Sequence, residues 1–391
     1  MNKGYWTPEA PQWVSLTHWM MLAFVVSFFA LPSPKWVNNL FYVGVCLPFL
    51  VWGWRREAWA WLGNSTGRWL LVFWVWVAGV AAFTAADLGR SLSAAKHLLY
   101  ILAFFSAWQL VNARRDTGRL VPWVLLAACL GEALFWYVYA LFMGELQFGQ
   151  RSGSPMRLTN ANHAAAATAM SVLLALGASW IERRYRALAL VCAGIGLFLI
   201  LFLFQSRSAL VGLLLGVTAL MLTLASGKFR IRLLGGMLAM LALLALALYE
   251  QDLLYILLER GGSYRGEIYA KVLAEYAQCR WWTGCGYDYV IRSSLDVNGE
   301  AATIAHPHSI YLAHLLFTGA PGLALLGIAL ASGVRRAFRR HSIWIAPLVS
   351  GIAFFSVESS KAFGNPDETW LLLYLPLSMV TCAEPLSRPN G

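Results

Sequence analysis

The sequence predicts an all-α polytopic membrane protein of about twelve transmembrane helices with one large, partly helical periplasmic loop. Three observations carry this. Of 391 residues, 59% are hydrophobic and only 13% are charged, against about 25% charged in an ordinary soluble domain. Apolar stretches of the roughly 20 residues needed to cross a hydrocarbon core of about 30 Å recur along the chain. Lys and Arg gather in alternate connections between those stretches. This composition excludes a soluble globular enzyme, a disordered chain and a disulfide-stapled secreted scaffold.

The apolar stretches run over 14–33, 36–54, 69–86, 92–111, 121–143, 160–181, 186–204, 208–225, 229–248, 307–331, 343–358 and 368–384. The first has no small-x-small cleavage site and a second span follows at once, so it reads as a span and not as a cleaved signal. No period of 20–50 residues repeats, which excludes a solenoid. The formal net charge is +11, from 30 Lys+Arg against 19 Asp+Glu. With both termini cytoplasmic, 18 basic and 5 acidic residues fall on the inner side, leaving 12 basic and 14 acidic outside. Every inner loop from 55–68 onward carries at least three basic residues, as the positive-inside rule requires. The positive charge is therefore mostly orientation, and no nucleic-acid partner is needed to explain it. Several of the 19 tryptophans, among them Trp13, Trp36, Trp54, Trp69, Trp344 and Trp370, lie near span ends, which suggests an interfacial belt.

The chain divides into spans 1–9 (1–248), an outer loop (249–306) and spans 10–12 with the C-terminus (307–391). Loops of this length without low complexity point to function, with a simple connector as the plainer alternative. Glu250 to Arg260 reads as a short helix closed by Gly261-Gly262. Tyr264 to Gln278 reads as an amphipathic helix, with Ile268, Val272, Leu273 and Tyr276 at helical spacing beside Arg265, Glu267, Lys271 and Glu275. Trp281-Trp282, a Gly-Cys-Gly turn, a polar segment and His306-Pro307-His308 follow. Such a loop suits a lid over a membrane-embedded site.

The outer basic residues do nothing for orientation. Lys96 sits inside the fourth span near Arg90, Arg151 and Arg157 lie in the loop before the sixth, Arg207 occupies a tight hairpin, and Arg265 opens the amphipathic helix. Ionisable groups at membrane depth are costly and point to function. Arg binds phosphate through its planar fork, so several on one leaflet suggest an anion site. Snorkelling, or pairing with an acid such as Asp87 or Glu267, is the plainer alternative for each. His308, at the outer mouth of the tenth span, can accept a proton near pH 7, and His306 is a second polar contact. His18, His97, His163 and His341 are scattered and carry no role, and His308 and His314, six apart, fall on different helical faces. The sequence has no zinc-ligand spacing, phosphate-binding Gly-rich loop or nucleophile elbow, so no metal or cofactor is expected. Cys46, Cys129, Cys192 and Cys382 read as apolar fillers, whereas Cys279 and Cys285 could pair in an oxidising compartment.

These residues resemble a known family. His308-Ser309, nine residues, then Gly319-Ala320-Pro321-Gly322 is similar to the His-[Asn/Ser/Gln]-x9-Gly-x-x-[Gly/Thr/Tyr] pattern of bacterial O-antigen ligases. Ser206-Arg207-Ser208 resembles that family's Ser-Arg hairpin. Arg265 to Tyr269 with Gly284-Cys285-Gly286 resembles its helix and glycine turn, and Arg151-Ser152-Gly153 with Asn160-Ala161-Asn162 its loop before the sixth span. The resemblance covers roughly residues 85–385 in architecture but is specific only in these motifs. It implies a GT-C-type, inverting, metal-independent glycosyltransferase of the bacterial inner membrane, with its active site facing the periplasm. The donor would be O-antigen on undecaprenyl diphosphate and the acceptor lipid A–core oligosaccharide. His308 would activate the acceptor and Arg207 and Arg265 would hold the diphosphate. O-antigen polymerases and protein O-oligosaccharyltransferases share the motifs and stay open as alternatives. A secondary transporter could also have twelve spans, but it would show repeat symmetry and broken mid-membrane helices.

Overall fold

Runs of Leu, Val, Ala and Phe with few interior breakers form long helices, and Ser or Asn side chains start several of them. The computed structural model describes residues 12–114, 117–145, 151–224, 264–297, 300–358 and 362–382. The sequence-predicted span 229–248 and helix 250–260 lie outside those residues. Helix α1 is Gln12–Ala30 and α2 Pro34–Phe41, which a π-helical turn, Tyr42–Cys46, joins to α3, Leu47–Trp52. A 3-10 segment, Arg56–Gly63, then leads to α4, Ser65–Phe83. Next come α5 (Leu88–Arg114), α6 (Thr117–Phe142), α7 (Ala161–Ile181), α8 (Arg186–Phe198) and α9 (Arg207–Leu224). A second π turn, Leu199–Phe204, extends α8. Beyond Tyr264 lie α10 (Arg265–Tyr276), strands β1 (Ser294–Val297) and β2 (Glu300–Thr303), α11 (Ile310–Arg339) and α12 (Ile345–Phe354). A third π turn, Trp370–Tyr374, opens α13, Leu375–Cys382.

Eight helices among the described residues are long and apolar enough to cross a membrane. The predicted span 36–54 is a ninth only if counted with the segment after it, from which it bends by 98°. The predicted spans 343–358 and 368–384 appear as shorter apolar helices, Ile345–Phe354 and Trp370–Cys382. The architecture is that of a polytopic membrane protein.

Asn64 caps α4 by accepting from Gly67 N, Asn160 caps α7 by accepting from Asn162 N, and Ser309 caps α11 by accepting from Leu312 N. Such caps satisfy backbone N–H groups that a helix start leaves unpaired. The Ala-rich α7 is the most enclosed span, because small side chains let neighbouring backbones approach closely. Gly212 and Gly216 of α9 face Ser350 and Ala346 of α12. That antiparallel register sets the first turn of α9, with Arg207, level with the last turn of α12. We call this end of the bundle the upper face.

The 264–306 segment closes the upper face. Ile268 and Val272 of α10 are buried, as the periodicity predicts. Leu273 is 45% exposed, whereas Glu275 is buried, reversing the expected faces. Glu275 Oε1 accepts from Arg292 N, Ser293 N and Ser293 Oγ, so it is held as an anchor for the strand that follows. The polar segment after it forms an antiparallel β1–β2 hairpin. Cys279 and Cys285 form a disulfide around Trp281-Trp282. This loop docks into a break in α11 at Gly319, which has φ 75° and ψ −179°, a conformation open essentially to Gly alone. Ala320 N donates to Trp281 O at 2.8 Å and Cys285 N to Leu316 O at 2.7 Å. The glycines of the two sequence motifs thus meet each other.

The tryptophan belt is only partly present. Trp36, Trp54 and Trp69 are exposed, but Trp344 and Trp370 are buried. Trp370 packs among Phe24, Phe41 and Phe104, so helix packing takes it from the interface.

Candidate functional site

Pro307 limits His306 to extended backbone. His308 adopts φ +54°, uncommon for a residue with a side chain, and Ser309 returns to extended geometry as the cap of α11. The His306 and His308 rings lie 3.9 Å apart, and their Nδ1 atoms are buried without hydrogen-bond partners among the described residues. Burial, then the neighbouring His306 and Arg265 charges, push His308 down to about 4. Burial also lowers His306, against the opposing pull of Glu358. Both shifts favour the uncharged imidazole.

Helix α10 points its first turn at the same place. Tyr269 Oη donates to the carbonyls of His308 and Ser356 at 3.3 and 3.4 Å. Arg265 is ion-paired with Glu358, not with Glu267, which pairs with Lys271 at 2.9 Å. Glu358 is only 3% exposed and also accepts from Asn162 Nδ2 at 2.7 Å. Asn162 Oδ1 accepts from Arg151 at 2.9 Å, and Arg151 Nε donates to Phe204 O at 3.1 Å. Arg151 and Arg265 are thus linked through Asn162 and Glu358, and Arg151 reaches the turn that leads into Arg207. That turn reverses the chain at Gln205, with φ +48°. Arg157 and His163 both face Glu368, at 3.5 and 3.4 Å. Burial and then the Glu368 carboxylate hold the adjacent Asp367 well above the ordinary carboxylate range.

The structure therefore brings together Arg151, Arg157, Arg265, His306 and His308, with Arg207 level with them by helix register. Arg90 and Lys96 have other neighbours. Arg90 faces Asp87 and Asp288, each at 3.6 Å, the plain pairing alternative, and Lys96 stands beside the Tyr100 ring. Sequence reasoning assigned no role to Asn162, His163, Glu358 or Glu368. Asn162 was visible only as part of a motif, and the two glutamates only as outer charges at span ends. His163, read as merely scattered, sits inside the network. An apolar crevice of about 420 Å³ between α4, α11 and Trp282-Thr283 shares no residue with this cluster.

Each guanidinium has five N–H donors, so the bond to Glu358 leaves Arg265 able to grip a further anion. Three arginines against two glutamates give a preorganised, modestly positive site, with a neutral imidazole beside it. Such an arrangement can stabilise a phosphate leaving group while a base removes a proton.

Residues 192–327 match the family described as O-Antigen ligase. A protein named O-antigen ligase from Pseudomonas aeruginosa is 34% identical over 184 residues, which cover 45% of this chain and 42% of the relative. The chain thus matches less than half the length of that relative.

Proposed function

We propose, from this chain's similarity to the O-antigen ligase family over residues 192–327 and to a relative of that name, that it transfers O-antigen polysaccharide from undecaprenyl diphosphate to lipid A–core oligosaccharide. The observation that carries this reading is the neutral, conformationally strained His308 held beside the Arg265–Glu358 pair. The upper face would be periplasmic, in the bacterial inner membrane, with both termini cytoplasmic. The fold would be of GT-C type.

In this mechanism an acceptor hydroxyl oxygen attacks the anomeric carbon from the side opposite the diphosphate, which inverts that centre. The carbon–oxygen bond to phosphate breaks, and its electron pair leaves on the diphosphate. Arg265, Arg207 and Arg151 stabilise the growing negative charge in a site of low dielectric, where fixed charges act most strongly. Arg157 holds Glu368 beside them. His308 takes the hydroxyl proton, a contribution of about 10²–10⁴-fold in comparable sites. A His pushed down to about 4 is a weak base alone. A bound diphosphate raises it, because an adjacent anion favours imidazolium. The arginines supply the positive charge, so the reading needs no metal or cofactor.

The decisive experiment is lipopolysaccharide from a deletion strain complemented with variants. Core without O-chain together with accumulated lipid-linked polymer supports ligation, and Arg207→Ala, Arg265→Ala and His308→Ala should reproduce it at normal expression. Core capped by a single repeat would instead indicate polymerisation, and normal lipopolysaccharide would refute both.

A further inference from the structure

A second polar cluster gathers at Asn365, three residues before the Glu368 that faces Arg157 and His163. Tyr42 opens the first π turn, and π turns are rare and often accompany function. Its hydroxyl donates to Asn365 Oδ1 at 3.1 Å, and His97 Nε2 lies 3.2 Å from the same oxygen. The rings of Tyr42 and Tyr100 stack at 4.7 Å. Lys96 Nζ stands 5.9 Å from the Tyr100 ring centre. Lys96 and Asn365 are exposed, and Lys96 makes no ion pair among the described residues. Asn38, one helical turn before Tyr42 and on the same face, has a buried Oδ1 without a partner among those residues.

An unpaired ammonium about two turns into a membrane helix is costly. Tyr, Asn and His side chains gathered round it give what a sugar needs: an apolar ring surface with hydroxyl-directed donors and acceptors at its edge. We propose that Tyr42, Lys96, His97, Tyr100 and Asn365 form a subsite for an anionic sugar of the acceptor lipid. This rests on the transfer reaction proposed above. The donor's charge is a diphosphate, already matched by the arginine cluster, so a separate cation matches a separate anion. Asn365 precedes Glu368 by three residues, which puts the two Cα atoms within about 11 Å. Lys96 is eight residues into α5, about 12 Å along its axis. A ligand there lies beside the transfer site. This fits a phosphate- or carboxylate-bearing sugar close to the lipid anchor, with the acceptor hydroxyl further along the chain.

The test uses the full chain in nanodiscs, with purified lipopolysaccharide lacking O-chain as probe. Binding is read by intrinsic fluorescence and transfer by gel. Lys96→Gln and Tyr42→Phe, mild changes at an exposed and an isosteric position, should each raise the acceptor Kd and KM about tenfold. The donor KM and kcat should stay within twofold, and Lys96→Arg should restore most of the affinity. If both variants bind and use the acceptor as wild type does while Arg265→Ala abolishes transfer, the subsite is refuted and the reaction stands. If the variants weaken binding but the wild type transfers nothing, the subsite stands and the reaction fails. Equal competition by phosphatidylglycerol nanodiscs would make this a phospholipid headgroup site and overturn the proposal.

Discussion

The seam between the Trp281-Trp282 loop and α11 offers the sharpest test of how the upper face is assembled. A Cβ at Gly319 would stand 2.5 Å from the Trp282 carbonyl carbon and oxygen, and one at Gly284 would stand 2.2 Å from Leu316 O. Both residues have positive φ, 75° and 65°. Forcing Ala into such conformations costs about 1–3 kcal/mol. Displacing the facing backbone also loses one of the two seam hydrogen bonds, about 1 kcal/mol more. Gly319→Ala should therefore weaken docking by about 2–4 kcal/mol, a factor of roughly 30 to 700 at 1.4 kcal/mol per tenfold. The same holds for Gly284→Ala. Because both break one seam, the double variant should cost clearly less than the sum. A Cβ added at Gly327, on the same helix, would meet nothing within 4 Å, so Gly327→Ala is the matched control and should be neutral or slightly stabilising. Limited proteolysis of the 264–306 segment, with hydrogen exchange at Cys285 and Ala320, reads the docking equilibrium. Wild-type protection in Gly319→Ala, or full additivity in the double variant, would refute the seam as described.

Glu358→Gln removes the carboxylate from half-buried Arg265 and should lower stability by about 2–3 kcal/mol, with the donor KM rising at least tenfold. Faster transfer would instead mean that Glu358 competes with the substrate for Arg265. His308 is held down to about 4 by burial, His306 and Arg265. It stays neutral, and able to accept a proton, until pH falls to about 4. The acid limb of kcat/KM should therefore lie well below 6.5, and His306→Gln should move it upward by removing a competing cation. Arg90, exposed by about half and paired among the described residues with the exposed acids Asp87 and Asp288, should tolerate Gln with under about 1 kcal/mol lost and donor KM within twofold. A tenfold rise would return it to the substrate site.

Eight spans among the described residues were legible because twenty apolar residues have few other uses, and Gly284, Gly286 and Gly319 because φ above zero restricts residue choice. The amphipathic α10 was legible in position but not in detail. Leu273 and Glu275 exchange faces because the chain at Arg292-Ser293 returns to bond the carboxylate, a contact between residues 17 and 18 positions apart that periodicity cannot register. The same limit hid Glu358. In sequence it is one outer acid among several, and only the packing that gathers the ends of α7, α10 and α12 brings it to Asn162 and Arg265.

Charge counting by membrane side sets 12 outer basic against 14 outer acidic residues but cannot say which pair. In the fold three of them have acidic partners: Arg265 has Glu358, Arg157 has Glu368, and Arg90 has Asp87 and Asp288. Those pairings differ in what they leave available. Arg90 is paired in solvent, where the contact contributes little and creates no field. Arg265 is paired with a carboxylate that is itself buried and held by Asn162, so its guanidinium is fixed in direction while most of its N–H donors remain unused by that bond. A buried acid beneath an arginine therefore does not cancel an anion site. It keeps the cation from collapsing onto water or backbone and aims it, at the cost of lower net charge. That makes the orientation of Arg265, more than the number of positive residues, the quantity on which diphosphate binding should depend. Arg265→Lys, which keeps the charge but loses the planar fork, should for that reason transfer little better than Arg265→Ala.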